Sequence, residues 1–584
     1  MVRALSLIFL ALVCACTVDR PFSLADFACE QGGPCAPDAT PRDAGALDTG
    51  AQTDATPQTD AAQATPDAEA PDAAPIVPAP RDLSYDSPQV YRSGFAIAPL
   101  TPTVVGSVLS WSIAPSLGAR TGLSFDATSG VISGIPSVIS RPIDYRVTAT
   151  NASGSATAFV SIGVDDVEFD VNSLADEDDE APGDGRCSAL LPGNLHACTL
   201  RAAMDETMSS LPAARHLIRV PAGTIRLAIP VCGRSFDVVG AGRDATVIEA
   251  ANGDGIFDCG NSPAAGDVAF EKLSMQGAAR AILTQSGDGA LYLSKVAFRH
   301  NSDGIAKQGP GPLVITECLF ESNTAPMGGA ALTIYSSSSS SITRSVFNDN
   351  VAVGALGGAI VQGRTGLLHV ADTSFSRNSA RGGGAIFSVG PLTVSRVLFA
   401  DNEATGVAGS PNPRGGALLC VGNCVAALTN STITGRSGSG GNAVFCDASS
   451  SVSLRFCTIA GNRTPLASAP AVTGAAITVE SCILANNTDG SGSASCAPEV
   501  RSLGHNISDT AATDCQLSGV GDLISTDPRL GPLASHGGPT QTMPLLSGSA
   551  ALDAAQGSAC PPTDQRGVAR PMGPACDIGA FEAP

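Results

Sequence analysis

The side chains best placed for chemistry form a file at a fixed point of a repeat. His300, Ser322, Asp349, Arg377 and Asp401 each follow a phenylalanine by two residues. If the repeats stack, Asp349, Arg377 and Asp401 stand about one strand spacing, ~4.8 Å, apart. A calcium-dependent lyase needs carboxylates clustered on adjacent coils and a basic residue to take the proton beside the sugar carboxylate. A hydrolase needs a pair of carboxylates flanking the bond. Two acids around one arginine neutralise each other more readily than they hold calcium, so the file reads as a surface ion-pair row. Paired aspartates with a Gly-His-Gly element are absent. One tryptophan and five tyrosines offer few platforms for sugar rings. No residue receives a catalytic role.

Cysteine is the other reactive type. Arg3 and the apolar run Ala4 to Val13 read as a secretory signal, too short to span a bilayer. Val13-Cys14-Ala15-Cys16 resembles the bacterial lipoprotein signal, which implies lipidation of Cys16 after removal of residues 1–15. By the same resemblance, Thr17 in place of Asp implies outer-membrane sorting in a Gram-negative cell. Of the 18 cysteines, 16 lie beyond Cys14 and Cys16, an even number that favours disulfides in an oxidising compartment. No cysteine pair has zinc-finger spacing to a histidine pair, and no metal or cofactor is expected. A net charge of −21 argues against nucleic acid and anionic lipid as partners.

These residues must be positioned by what lies between them. Residues 16–80 are a tether, nearly all Ala, Pro, Asp, Thr and Gln from Ala36 on, too poor in large apolar residues to offset the entropy of ordering. Residues 81–164 carry short β-branched runs between turn signals, as expected of a small β-sandwich with Trp111 in its core. Gly122-Leu123-Ser124-Phe125-Asp126, Gly130-Val131-Ile132-Ser133-Gly134 and Tyr145-Arg146-Val147-Thr148-Ala149 resemble the immunoglobulin-like modules of bacterial surface proteins, which implies a spacer or adhesive role. The acidic loop Asp176 to Asp184 lacks the ligand order of an EF-hand and reads as a solvated charge run. After Cys187 and Cys198, Leu200, Ala203, Met204, Met208 and Leu211 share one helix face, a cap for the open end of a solenoid.

Residues 165–584 are read as a parallel β-helix. Phe298 with Asn301, Phe320 with Asn323, Phe347 with Asn350, Phe375 with Asn378 and Phe399 with Asn402 recur, and Ile433, Ile459 and Leu484 continue the phase. The intervals are 22, 27, 28, 24, 34, 26 and 25 residues. A period in this range, built of short strands and glycine turns, indicates stacked coils, with Phe on Phe and asparagines bonded in a ladder. Gly328-Gly329-Ala330, Gly357-Gly358-Ala359, Gly383-Gly384-Ala385 and Gly415-Gly416-Ala417 mark a second turn that needs φ > 0 or close coil contact. One coil of offset brings Cys457 beside Cys482 and Cys420 beside Cys446, so both pairs are expected as disulfides, with Cys424 a competitor for Cys420.

The repeats resemble those of chlamydial polymorphic outer-membrane proteins and of pectate-lyase-like β-helices, which implies a right-handed all-β solenoid. Asp527-Pro528-Arg529-Leu530, Gly537-Gly538-Pro539-Thr540, Asp564-Gln565-Arg566-Gly567 and Cys576-Asp577-Ile578-Gly579-Ala580-Phe581-Glu582 resemble the choice-of-anchor Q domain, as do Pro182-Gly183-Asp184-Gly185 and Cys198 to Ala203 upstream. This implies an exported bacterial protein with a C-terminal cap held by Cys560 and Cys576, and it carries over no catalytic residue. The reading is a monomeric, non-enzymatic adhesion or display protein. It meets the membrane through its lipid and a surface polysaccharide or another cell-surface protein through its body. A carbohydrate-active lyase or hydrolase is the alternative.

Overall fold

The computed structural model describes residues 77–584 apart from 93–96, 139, 166, 184–185, 210–214, 259–265, 285–288, 327, 407–413, 436–441, 468, 511–514 and 556–559. The lipidation candidate Cys16 and almost all of the tether lie outside the described residues. In the first part, a four-stranded sheet runs in the order Gln89–Arg92, Gly154–Asp165, Ser140–Asn151, Ser110–Ala114, and two further antiparallel pairs form, Arg81–Ser84 with Thr103–Val105 and Ser124–Phe125 with Ile132–Ser133. Alternating residues of the long hairpin, Tyr145, Val147, Val160 and Ile162, face Trp111, Leu123 and Ile132 in one core. Trp111 is a core residue. A Cβ at Gly130 would lie 2.6 Å from the Trp111 ring, and Gly130 has φ +74°, so only glycine fits there.

From Val167 the chain winds as a parallel β-helix of about ten turns. Three sheets form it among the described residues. The first has thirteen strands, from Val167–Asp170 to Arg501–Gly504; the second has twelve, from Gly223–Leu227 to Ile507–Ser508; the third has nine, from Phe257–Asp258 to Val472–Gly474. A short fourth sheet of Thr324–Ala325, Val351–Leu356, Ser379–Gly382 and Glu403–Ala404 was not expected from the sequence.

The repeat explains the stack. Phe298, Phe320, Phe347, Phe375 and Phe399 are buried, with centroids 4.9, 4.5, 4.8 and 5.1 Å apart, close to the rise of one coil. Three residues on, Asn323 Nδ2 donates to Asn350 Oδ1 at 2.9 Å and Asn350 Nδ2 to Asn378 Oδ1 at 2.8 Å. Each also donates to a carbonyl of an earlier coil. The ladder satisfies turn groups that burial would otherwise orphan. The glycine turns use both properties of the residue. Gly383 has φ +65°, and a Cβ on Gly384 would sit 2.5 Å from the carbonyls of Glu403 and Gly416 on the next coil.

At the N-terminal end the helix Leu200–Ser209 begins at Thr199, whose Oγ1 accepts the Ala202 N–H at 3.0 Å. Leu200, Ala203 and Met204 join the cluster of Ile218 and Val220 in the first coil. The acidic loop departs from a solvated run. Asp176 takes a bidentate pair from Arg201 (2.6 and 3.0 Å), both side chains largely buried, and Asp179 accepts the N–H groups of Ser188 and Ala181. Asp176 fastens the loop to the capping helix, and Asp179 closes the loop on itself.

Candidate functional site

The five successive coils from Lys295 to Asp401 each hold two non-glycine residues in the left-handed region, one on either side of the second-sheet strand. The sequence file His300, Ser322, Asp349, Arg377 and Asp401 is one of these turns, with φ of 52 to 55° and the ladder asparagine next in sequence. Arg377 donates to Asp349 through Nε (2.7 Å) and Nη2 (2.9 Å) and to Asn348 Oδ1 (2.6 Å). Both members of the pair are about half exposed. The Asp349 hydrogen bond, with further help from the charges of Asp349 and Asp401, raises the Arg377 pKa. An exposed, self-neutralised pair of this kind holds the turn and leaves little field for a ligand.

The other left-handed file escaped notice in the sequence. Lys272, Lys295, Glu317, Arg344, Asp372 and Arg396 occupy it on six successive coils, with φ between 48 and 56°. It forms the flank between the first and second sheets. At its N-terminal end lies a cavity of about 560 Å³ lined by Arg243, Asp244, Lys272, Lys295, Glu317, Cys318, Arg344 and Val346. Arg243 sits on the connection preceding Thr246–Ala250 and reaches over the coils to the Glu317 carbonyl at 3.4 Å. Glu317 is shared between Lys295 (3.8 Å) and Arg344 (3.2 Å). Arg243 forms no salt bridge among the described residues. The groove is therefore under-neutralised, an island of positive charge on a chain of net charge −21.

Cys318 at the floor does not supply a nucleophile, because burial pushes its thiol up to about 12. It belongs to a ladder of its own. Cys318 N–H donates to Ser345 Oγ (3.1 Å), Ser345 N–H to Thr373 Oγ1 (3.3 Å), Cys457 N–H to Cys482 Sγ (3.4 Å) and Cys482 N–H to Asn506 Oδ1 (2.9 Å). The cysteines stand where other coils place a hydroxyl.

That geometry corrects two expected disulfides. Cys457 and Cys482 are adjacent in the column but are thiols, and Cys446 is a thiol opposite Cys420 in register. In-register parallel strands hold side chains pointing the same way with Cβ atoms about one strand spacing apart, ~4.8 Å, beyond the 3.5–4.5 Å a disulfide needs. Cys420 instead bonds Cys424, four residues away, across a turn with Gly422 and Asn423 both at positive φ. Cys187 bonds Cys198, Cys560 bonds Cys576, and Cys496 bonds Cys515. Among the described residues no group of three or more His, Cys, Asp or Glu is arranged to hold a metal.

The C-terminal segment was expected to close the end of the stack. It does more, lying along the flank as an arm. Thr540 Oγ1 donates to the Arg396 carbonyl, Asn430 Nδ2 to the Thr563 carbonyl, Thr432 Oγ1 to Gln565 Oε1, and the Ala580 N–H to Thr458 Oγ1. Phe581, Ile578 and Leu545 pack with Phe456, Ile483 and Ile507 of the solenoid. Inside the arm, Arg570 and Glu582 form a fully buried pair at 2.9 Å, and Arg570 also donates to the carbonyls of Asp577 and Gly579. Burial lowers the Arg570 pKa and raises that of Asp577. Where the arm lies, the flank file changes to Asn430, Phe456, Ser481 and His505.

Residues 75–165 match the family described as "Putative Ig domain", and residues 372–389 match the Chlamydia polymorphic membrane protein repeat. No curated protein matches the chain. Among solved structures it is similar to pectate lyase Pel9A, with 12% identity over 72% of this chain and 97% of that one and a TM-score of 0.38. The A-module of the Azotobacter vinelandii mannuronan C-5 epimerase AlgE4 shows 14% identity over 55% and 91% of the two chains, TM-score 0.30. The catalytic unit of a GH87 α-1,3-glucanase from Streptomyces thermodiastaticus shows 12% identity over 76% and 87%, TM-score 0.27. The chain thus contains an Ig-like domain and a polymorphic-membrane-protein repeat within a parallel β-helix.

Proposed function

We propose that this is an exported, lipid-anchored surface protein whose β-helix presents a binding surface and performs no catalysis. One observation carries the reading. From Tyr292 to Thr429 the outward positions of the first sheet are Tyr292, Ser294, Val314, Thr316, Ser341, Thr343, His369, Ala371, Thr393, Ser395, Val425, Ala427 and Thr429. Apart from Val314, His369 and Val425, these six coils carry hydroxyls and small side chains on that face, without the carboxylate pair a hydrolase needs or a cluster for calcium. Such a face hydrogen-bonds a partner without acid–base chemistry. The polymorphic-membrane-protein repeat and the disulfides support export to an oxidising surface. Cys16 is the lipid site in this reading, residues 16–80 the tether, and the outer membrane the destination.

The test is Cys16→Ser with lipid labelling and membrane fractionation. The variant should lose the label and remain unprocessed or leave the membrane. Normal processing with unchanged retention would remove the anchor. Cleavage of an acidic polysaccharide by the purified chain, with or without chelator, would overturn the non-catalytic part.

A further inference from the structure

The flank between the first and second sheets is one groove divided in two. Its floor is the outward column of the second sheet: Leu319, Val346, Ser374, Leu398, Thr432, Thr458, Ile483 and Ile507 in register. Its wall is the left-handed file. Over the later coils the chain's own arm fills the groove, and Leu398 is only 3% exposed. On the first two coils the same column, Ser274 and Ala297, is buried beside the Arg243 connection, whereas on the coils of Leu319 and Val346 the floor opens and Val346 is 41% exposed. The open part is bounded at one end by the Arg243 connection and at the other by Thr540 on the Arg396 carbonyl.

What fits the open half follows from its chemistry and from what fills the rest. The filled half accepts polypeptide, laid across the coils with apolar side chains on the floor and main-chain hydrogen bonds to the wall. The open half keeps an aliphatic floor in Leu319 and Val346 and replaces the polar wall by Lys272, Lys295 and Arg344, with Arg243 overhead. Lys272 lies beside Glu271 at 2.8 Å. Lys295 and Arg344 divide one carboxylate between them, and Arg299, outside the lining, takes up Asp244. The lining holds no aromatic ring on which a sugar would stack. Lysine and arginine around an aliphatic strip suit carboxylates that alternate with apolar side chains on an extended segment.

We propose that the open half of the flank groove binds an extended acidic segment of a partner polypeptide, with its carboxylates on Lys295, Arg344 and Arg243 and its apolar side chains on Val346 and Leu319. The four coils from Lys272 to Arg344 span about 14 Å, room for roughly four extended residues. The groove adjoins the first-sheet face proposed above; the inference rests on the reading of the β-helix as a binding body and is independent of the lipid anchor.

The probe is a fluorescent synthetic peptide alternating glutamate and valine, titrated into the full chain at low salt with anisotropy as readout. Saturable binding is expected, weakening with added salt. Lys295→Glu combined with Arg344→Glu should weaken it by about tenfold or more, equivalent to at least ~1.4 kcal/mol. Val346→Asp should weaken it independently, and Arg377→Ala on the other turn file should leave it unchanged. Circular dichroism and thermal melting establish that each variant is folded. Absence of saturable binding to the wild-type chain, or binding insensitive to both groove variants, would overturn the proposal. So would an acidic polysaccharide that binds through Lys295 and Arg344 when the peptide does not. Membrane retention through Cys16 is scored separately, so failure here and failure of the anchor are distinguishable.

Discussion

Along the flank between the first two sheets, the coils from Lys272 to Arg396 turn charge to solvent, whereas those from Asn430 to His505 turn Asn, Phe, Ser and His toward the C-terminal arm. The backbone is the same in both halves, a single left-handed residue before the second-sheet strand. What differs is what lies over it. In the open half the turn must tolerate water, and long charged side chains pair loosely from coil to coil. In the covered half those charges would have to be desolvated, so the file becomes polar or aromatic and charge in the arm is drawn into buried pairs, Arg566 with Asp564 and Arg570 with Glu582, the latter with both guanidinium Nη atoms and both carboxylate oxygens hydrogen-bonded. A repeat protein can thus vary its surface coil by coil without changing its fold.

The largest expected effect lies in the covered half. Glu582→Ala strands the Arg570 charge without its buried partner and should cost about 3 kcal/mol or more. Thermal unfolding should show this, and trypsin should cut after Arg566 while the wild type resists. An unchanged melt would mean that the arm does not depend on the pair. An intermediate effect belongs to the ladder that serves the earlier coils. Asn350→Ala removes the donor to the Phe320 carbonyl and the acceptor of the Asn323 N–H, costing about 1–3 kcal/mol for the groups left unpaired. A cost below that found at the surface would show that relaxation or water replaces the ladder. The smallest effect is expected on the exposed files: Arg344→Ala or Arg377→Ala should cost about 1 kcal/mol or less in denaturant titrations. A larger loss at Arg344 would mean that the open flank is as structural as the covered one.

The coil period was legible because phenylalanine gains most from burial and asparagine is costly to bury unless its amide is paired in register. Phe347 and Asn350 therefore report the stack from sequence alone. The glycine pairs were legible for a similar reason, since Gly383 and Gly384 mark places where a side chain cannot go. The file containing Asp349 and Arg377 was visible too, but the sequence could not show that its position is a left-handed turn, which aims those side chains outward into an ion pair. The thiols were misread because sequence register gives proximity and not direction. Cys482 is as near to Cys457 as expected, yet its sulfur accepts an N–H as a serine hydroxyl would. The change from Lys272, Lys295, Glu317, Arg344, Asp372 and Arg396 to Asn430, Phe456, Ser481 and His505 was written in the sequence. It carried no meaning until the arm's position supplied the reason.

The arm also decides where the solenoid comes apart. In a linear stack each coil touches only its neighbours, so fraying can start at either end and spread inward. Here one segment is fastened to coils from Arg396 to Ser481, and its own core joins Phe456, Ile483 and Ile507. The last coils cannot peel off singly; they leave together or after the arm has lifted. The opposite end is held by the single helix Leu200–Ser209, which covers the first coils alone. Unfolding should therefore have a direction, beginning near the helix and stopping at the sewn end. Hydrogen exchange along the stack would record this as a gradient that rises toward Ile507 and not as one symmetric about the middle.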